Sequence, residues 1–214
     1  MLEFETPDGR IAVAIQRLVI AGWTGRDSAA VQHHIAELAA LGVAPPSTTP
    51  LFYQVSAALA TQAARIQVLG AATSGEVEPL VINVDGTLWL GLGSDHTDRQ
   101  LEAVSVAQSK QACAKVLSHK LWPLAAVADR LDALALRAEI DGGTLYQDGS
   151  LAAILPLSGL IAAADLQPGD AMLCGTLPAI GGVRPATSYR MSLTDQTLGT
   201  IALQYDCDVL EPVA

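Results

Sequence analysis

Glu76-Val77-Glu78-Pro79-Leu80-Val81-Ile82 sets two acidic residues at alternate positions against an unbroken apolar run. Read as a strand over 76–82, its period of two puts Glu76 and Glu78 on one face with their carboxylates side by side. Like charges that close need a partner. A second apolar segment, Leu88-Trp89-Leu90-Gly91-Leu92, ends just before Asp95, so a simple return of the chain brings a third carboxylate beside the first two. Three hard oxygen donors meeting at one point suit Mg²⁺ or Mn²⁺, with Ca²⁺ as a further candidate. The plainer alternative is a solvated strand edge with Asp95 capping a turn, because such spacing is common by chance.

Upstream, Arg10 to Ala21 has strand character, with Ile11, Val13 and Ile15 alternating before the register blurs at Leu18-Val19-Ile20. A helix is predicted next. Asp27 is a suitable N-cap, Val31, Ile35 and Leu38 form an apolar stripe, and Gly42 is placed to end it. His34 and Glu37, three apart, share one helix face, whereas His33 points about 100° away. A carboxylate beside an imidazole orients the ring and raises its basicity, the minimum equipment of a general base acting on water. An ordinary helix-surface pair has the same spacing.

The chain has 214 residues, half of them apolar and 16% charged, which describes a globular domain with a sizeable core. A formal charge of −10 argues against a nucleic acid or an anionic membrane as partner and leaves a small molecule. Cys113, Cys174 and Cys207 are few, odd in number and without C-x-x-C spacing, as expected of reduced thiols in the cytoplasm. The acidic start, Met1-Leu2-Glu3-Phe4-Glu5, does not read as an export signal. Leu151 to Ala164, the most apolar stretch, is shorter than the ~20 residues of a membrane span and reads as core.

The remaining segments complete a pattern of short strands with few helices. Ala57 to Leu69 reads as a strand, or as a helical turn followed by one, and Gln100 to Lys110 as a helix. Leu131 to Ile140 is a strand joined to Thr144-Leu145-Tyr146-Gln147 through Asp141-Gly142-Gly143, a strong hairpin signal. This arrangement excludes an all-helical protein and lacks the regular alternation of a doubly wound sheet. Lys115 and Lys120 read as solvated lysines near a helix end.

Taken in order, His34-Ile35-Ala36-Glu37, Glu76-x-Glu78, Ser94-Asp95-His96-Thr97-Asp98-Arg99, Gln147-Asp148-Gly149-Ser150 and Leu166-Gln167-Pro168-Gly169-Asp170 through Gly175-Thr176 resemble the fumarylacetoacetate hydrolase family. The likeness covers about residues 23–182 and is nearest to its short, uncharacterised members. It implies an α+β fold, a mixed, mostly antiparallel rolled β-sandwich with a few short helices. On this reading the chain is one domain over 1–214, with an N-terminal strand region at 1–22, and is usually a homodimer. Glu76, Glu78 and Asp95 would hold the metal, His34 oriented by Glu37 would activate water, and Lys110 would face substrate carbonyl oxygens. Gln147, Gly175 and Thr176 would line the substrate site. Arg99 would bind the substrate carboxylate or serve equally well as a salt bridge within its turn.

The implied activity is metal-dependent cleavage of a carbon–carbon bond in a small 2-oxo acid or 1,3-dicarbonyl compound of the acylpyruvate type. Decarboxylation, hydration or tautomerisation of a similar substrate is the alternative reaction, and a non-catalytic protein binding metal and a small molecule is the alternative class. The chain departs from the family at Gln54, where a lysine is common, and over 111–122, where a Cys-Pro-x-Gly-Pro element is missing.

Overall fold

The structure is a computed structural model that describes residues 1–40 and 42–213. The strand Val77–Val84 lies inside an eight-stranded sheet, paired on one side with Thr87–Ser94 and on the other with Asp170–Leu173. Beyond Asp170–Leu173 come Arg17–Gly22, parallel to it, and then Leu51–Val55 at the edge. Beyond Thr87–Ser94 come Lys115–Leu117 and Ala60–Thr61, and Trp122–Pro123 pairs there too. A second sheet has five strands in the order Thr144–Ser150, Ala135–Ile140, Ser188–Asp195, Gly199–Leu210 and Arg65–Leu69. All its pairings are antiparallel except the last.

Alternation along the strands sorts residues into two cores. Val77, Val81, Val19, Ala21, Leu90 and Leu92 join residues of the five-stranded sheet, such as Leu136, Ala138, Met191 and Leu203, in the larger one. Leu80, Ile82, Leu18, Ile20 and Leu173 point the other way into a smaller cluster, closed by Phe4 and Val13 of the hairpin Leu2–Thr6/Gly9–Val13. Removing each fully buried Leu or Ile from water contributes about 1.5–3 kcal/mol, so both faces of the central strand are strongly fixed. Glu76 and Glu78 lie on the face of Leu80 and Ile82, and the register cannot slip without burying them in the main core.

The mixed, mostly antiparallel β architecture agrees with the sequence reading, and most differences concern where elements break. The strand expected over Arg10–Ala21 is two: Gly9–Val13 stays in its hairpin, while Arg17–Gly22 enters the large sheet. Arg17 fixes that entry by donating from Nε to Asp170 at 2.9 Å and from Nη2 to the Asp165 carbonyl at 2.8 Å. The expected helix is Ser28–Ala40, and Asp27 caps it through the N–H groups of Ala29 and Ala30. Val31 and Ile35 are half-buried, and the side chain of Leu38 lies outside the described residues. Gln100–Lys110 is interrupted, giving Arg99–Glu102 capped by Asp98 and Val106–Gln111 capped by Ser105. A 3₁₀ turn at Leu131–Ala133 shortens the next strand to Ala135–Ile140. Ala57–Leu59 is likewise a 3₁₀ turn followed by strands. Leu151, Ile154, Leu157 and Leu160 are core residues, as expected, and no described helix is long and apolar enough to cross a membrane.

Candidate metal centre

Asp85 and Gly86, both at positive φ, close a two-residue turn between Val84 and Thr87. This is the turn whose twist matches a hairpin. From it the antiparallel ladder runs back to Val77 opposite Ser94, and one step further the Asp95 N–H donates to the Glu76 carbonyl at 3.0 Å. The two strands thus deliver Glu76, Glu78 and Asp95 to one place, with one oxygen of each within 4.8 Å of the others.

Three cations surround them. Lys110, from Val106–Gln111, donates from Nζ to Asp95 Oδ2. Lys115, from the strand Lys115–Leu117, lies with Nζ 2.8 Å from Asp95 Oδ1 and donates to the His96 carbonyl at 2.5 Å. That buried oxygen is thereby paired with the Lys115 charge. Arg99 donates to Ser74 Oγ at 2.6 Å and Glu102 Oε2 at 2.8 Å, and its Nη2 lies 3.2 Å from Glu76 Oε1.

Burial alone would push the Asp95 carboxyl up, but Lys110 and Lys115 hold it well below the usual carboxylate range. Glu78 goes the opposite way, raised first by burial and then by the charge of Asp95, despite an N–H bond from Gly175 at 2.8 Å. The surroundings thus favour the charged form at Asp95 and oppose it at Glu78. Burial would lower Lys110, yet Asp95, Glu76 and Glu78 together hold its ammonium above the ordinary lysine value. Burial prevails at Lys115, which is lowered although Asp95 offsets part of the loss.

Lys115 corrects the sequence reading: it is a fully buried strand residue and not a solvated lysine at a helix end. The helix stops at Gln111, and the pairing of Val116 with Ser94 turns Lys115 in toward Asp95. Lys120 stays partly exposed, with Nζ 5.8 Å from the centre of the Trp122 ring. The segment 111–122 forms this wall of the site without proline or glycine, because Lys115–Leu117 extends the sheet.

Gln147, Gly175 and Thr176 meet on another wall. Gln147 accepts the Val77 N–H at 3.0 Å and donates to Thr176 Oγ1 at 2.7 Å and to the Leu177 carbonyl at 2.6 Å. Thr176 in turn donates to the Val77 carbonyl at 2.7 Å. These side chains tie the Gly-Thr loop to the carboxylate strand. Gly175 adopts φ 101°, and a Cβ there would fall 1.7 Å from Thr24 Oγ1, so only glycine lets the loop present its N–H to Glu78.

His34 and Glu37 pair on the exposed helix at 3.5 Å, and His33 also reaches Glu37, at 3.3 Å. His34 also neighbours Trp23, with ring centres 6.0 Å apart. Trp23, at an unusual φ of 61°, donates from Nε1 to Tyr53 Oη at 2.9 Å, and Lys110 Nζ stands 5.8 Å from the Tyr53 ring centre. The pair thus connects to the carboxylates through Trp23, Tyr53 and Lys110, and not by direct contact. Behind Asp95, buried His96 is held between Thr73 Oγ1 and Tyr205 Oη, each at 2.9 Å, and burial depresses it to about 3. His96, Trp23 and Tyr53 carried no spacing signal in the sequence.

Residues 21–205 match the model of a family described as a protein of unknown function (DUF2848). The chain belongs to this family. No curated protein matches it. Among solved structures, a protein described as a fumarylacetoacetate isomerase/hydrolase from Oleispira antarctica is 21% identical, with a TM-score of 0.72 over 98% of this chain and all of that one. Maleylpyruvate hydrolase from Sphingobium sp. SYK-6 is 14% identical, with a TM-score of 0.62 over 93% of this chain and 72% of that one. 2-Keto-3-deoxy-D-arabinonate dehydratase, in complex with magnesium and 2,5-dioxopentanoate, gives 14% and 0.62 over 93% and 75%. This member of the family therefore has the fumarylacetoacetate hydrolase fold.

The donor set suits a divalent metal. Glu76, Glu78 and Asp95 offer three hard oxygens at close range. Hard oxygen donors of this kind fit a divalent cation.

Proposed function

We propose that the chain is a divalent-metal-dependent hydrolase that splits a carbon–carbon bond in a small 2-oxo acid or 1,3-dicarbonyl substrate of the acylpyruvate type. The observation that carries this reading is the meeting of Glu76, Glu78 and Asp95 within 4.8 Å beside two lysines and an arginine. Neighbours of the same fold named as a maleylpyruvate hydrolase and a magnesium-bound keto-sugar-acid dehydratase support the substrate class. A bound Mg²⁺ or Mn²⁺ would supply Lewis-acid stabilisation of charge developing on substrate oxygens.

The chain's residues take the remaining roles. His34, oriented by Glu37, accepts a proton from water as the water attacks the carbonyl carbon. The adjacent carbon–carbon bond breaks, and its electron pair leaves on the departing carbon as an enolate that then takes a proton. Lys110 offsets charge on the substrate oxygen. Arg99, already engaged by Glu76 and Glu102, binds the substrate carboxylate only by exchanging one of them. Gly175 and Thr176 adjoin the carboxylate strand, with Gln147 holding their loop in place. The protein works as a cytoplasmic homodimer on this reading.

A lyase or tautomerase acting on a similar substrate is the second reading. It is favoured by the exposed position of His34 and Glu37, whose contacts stop at Trp23, so that no base on that helix touches the carboxylates. Incubating the Mn²⁺-loaded protein with acylpyruvates and oxaloacetate, while following enol absorbance and products, separates the two. Two carboxylic acid fragments from an acylpyruvate support hydrolysis. Loss of carbon dioxide or water, or isomerisation alone, supports the second reading. No turnover of any of these substrates counts against both.

A further inference from the structure

Of the three cations at the centre, Lys110 is placed differently from the other two. Lys115 is anchored by its bond to the His96 carbonyl and faces Asp95 alone among the three carboxylates. Arg99 is shared between Glu76, Glu102 and Ser74. Lys110 has a single hydrogen-bond partner among the described residues, Asp95 Oδ2, and the charges of Asp95, Glu76 and Glu78 all bear on its ammonium. It stands beside the spot on which the three carboxylates converge. Its ammonium also lies 5.8 Å from the centre of the Tyr53 ring.

We propose that Lys110 is a tethered counter-cation: its ammonium neutralises the Glu76–Glu78–Asp95 cluster when metal is absent and is driven off Asp95 when a divalent cation binds. The inference rests on the metal centre proposed above and adds that this chain carries its own competitor for it. The physical case is charge balance. Three close carboxylates without a central cation repel one another in a site where two of them are buried, and desolvated charge is tolerated only when paired. A divalent ion among the same oxygens would meet the Lys110 charge at short range, so both cannot hold Asp95 at once without a large repulsion. Affinity for the metal is then reduced by the work of displacing the lysine, and the displaced ammonium becomes available to a substrate oxygen.

Mn²⁺ binding to the purified full-length protein, followed by the loss of the free-ion electron paramagnetic resonance signal, tests this with wild type, Lys110→Met and Lys110→Gln. Both variants are expected to bind Mn²⁺ at least ~10-fold more tightly than wild type, because the competing charge is gone. Binding by the variants where wild type binds none also supports the inference. Wild type that binds Mn²⁺ while the variants bind no more tightly overturns it and leaves the proposed metal centre standing. Absence of binding by all three at millimolar Mn²⁺ overturns both. A second measurement needs no variant: acetic anhydride labelling of wild type, read by peptide mass spectrometry, is expected to modify Lys110 more in saturating Mn²⁺ than without it. Equal labelling of Lys110 in protein shown to bind Mn²⁺ overturns the inference.

Discussion

Asp95 stands across the ladder from Glu76, its N–H donating to the Glu76 carbonyl at 3.0 Å. The side chains of these two residues and of Glu78 therefore hold their mutual placement through backbone pairing and not through loop geometry. Backbone pairing keeps these side chains near one another whether or not their charges are paired, and the surrounding cations offset the repulsion.

Lys115 is the cation whose loss should be felt most in stability. Lys115→Met leaves Asp95 with one buried partner fewer, and breaking a buried pair typically costs about 3–5 kcal/mol. Lys120→Met should change little, since its ammonium is near the surface over Trp122. Urea unfolding of the two variants in metal-free buffer checks the contrast; equal midpoints would show that Lys115 does not balance Asp95.

Gly175→Ala should be among the most damaging single-methyl additions. The new Cβ would meet Thr24 Oγ1 at 1.7 Å on a left-handed backbone, displacing the N–H that Glu78 accepts. Gly199, with φ 82° and open space around it, carries the strain without the clash. Gly199→Ala should lose about 1–2 kcal/mol, and Gly175→Ala clearly more, in the same unfolding assay.

The two carboxylates at Glu76 and Glu78 were legible in the sequence because strand period fixes their shared face, and Asp95 followed from the order of its segment. Asp85-Gly86 carries a further signal: as a two-residue turn it fixes the register that sets residue 95 opposite residue 76. Lys115 was misread because a helix of unknown length precedes it, and nothing local marks where Gln111 ends one element and Lys115 begins another. Trp23 and Tyr53 were invisible for a different reason. Their contact joins segments 30 residues apart, and neither residue type announces a site. The split of Arg10–Ala21 reflects tertiary pairing that overrides a continuous local preference.

Acid should weaken the fold at Asp195, which is not part of the carboxylate cluster. Arg130 grips Asp195 with Nε at 2.8 Å and Nη2 at 3.1 Å, and the N–H groups of Leu198 and Thr197 add to it, holding this carboxyl well below the usual range. A folded value below the unfolded one means the stabilisation is complete above pH ~4 and is lost as pH falls through the folded value. Asp195→Asn should be less stable at pH 7 and show a flatter fall of stability below pH 4. Parallel stability curves for the variant and wild type would contradict this.

On the proposed function His34 serves chemistry and not the metal. His34→Ala should lower turnover by ~10² to 10⁴, the usual contribution of a general base, with Mn²⁺ affinity unchanged. Glu37→Gln should give a smaller loss of the same kind. Full turnover in His34→Ala would make its pairing with Glu37 a helix-surface contact.

The metal itself is tested most directly by thermal unfolding of wild type and Glu78→Gln with and without excess Mg²⁺ or Mn²⁺. An ion bound only by the folded protein adds about 2.7 kcal/mol at 100 times its dissociation constant. For a chain of this length, that is a rise of about 5–10 °C in Tm. Wild type should show the rise and Glu78→Gln should lose most of it; a wild-type Tm indifferent to both ions, or an equal rise in the variant, would contradict the account.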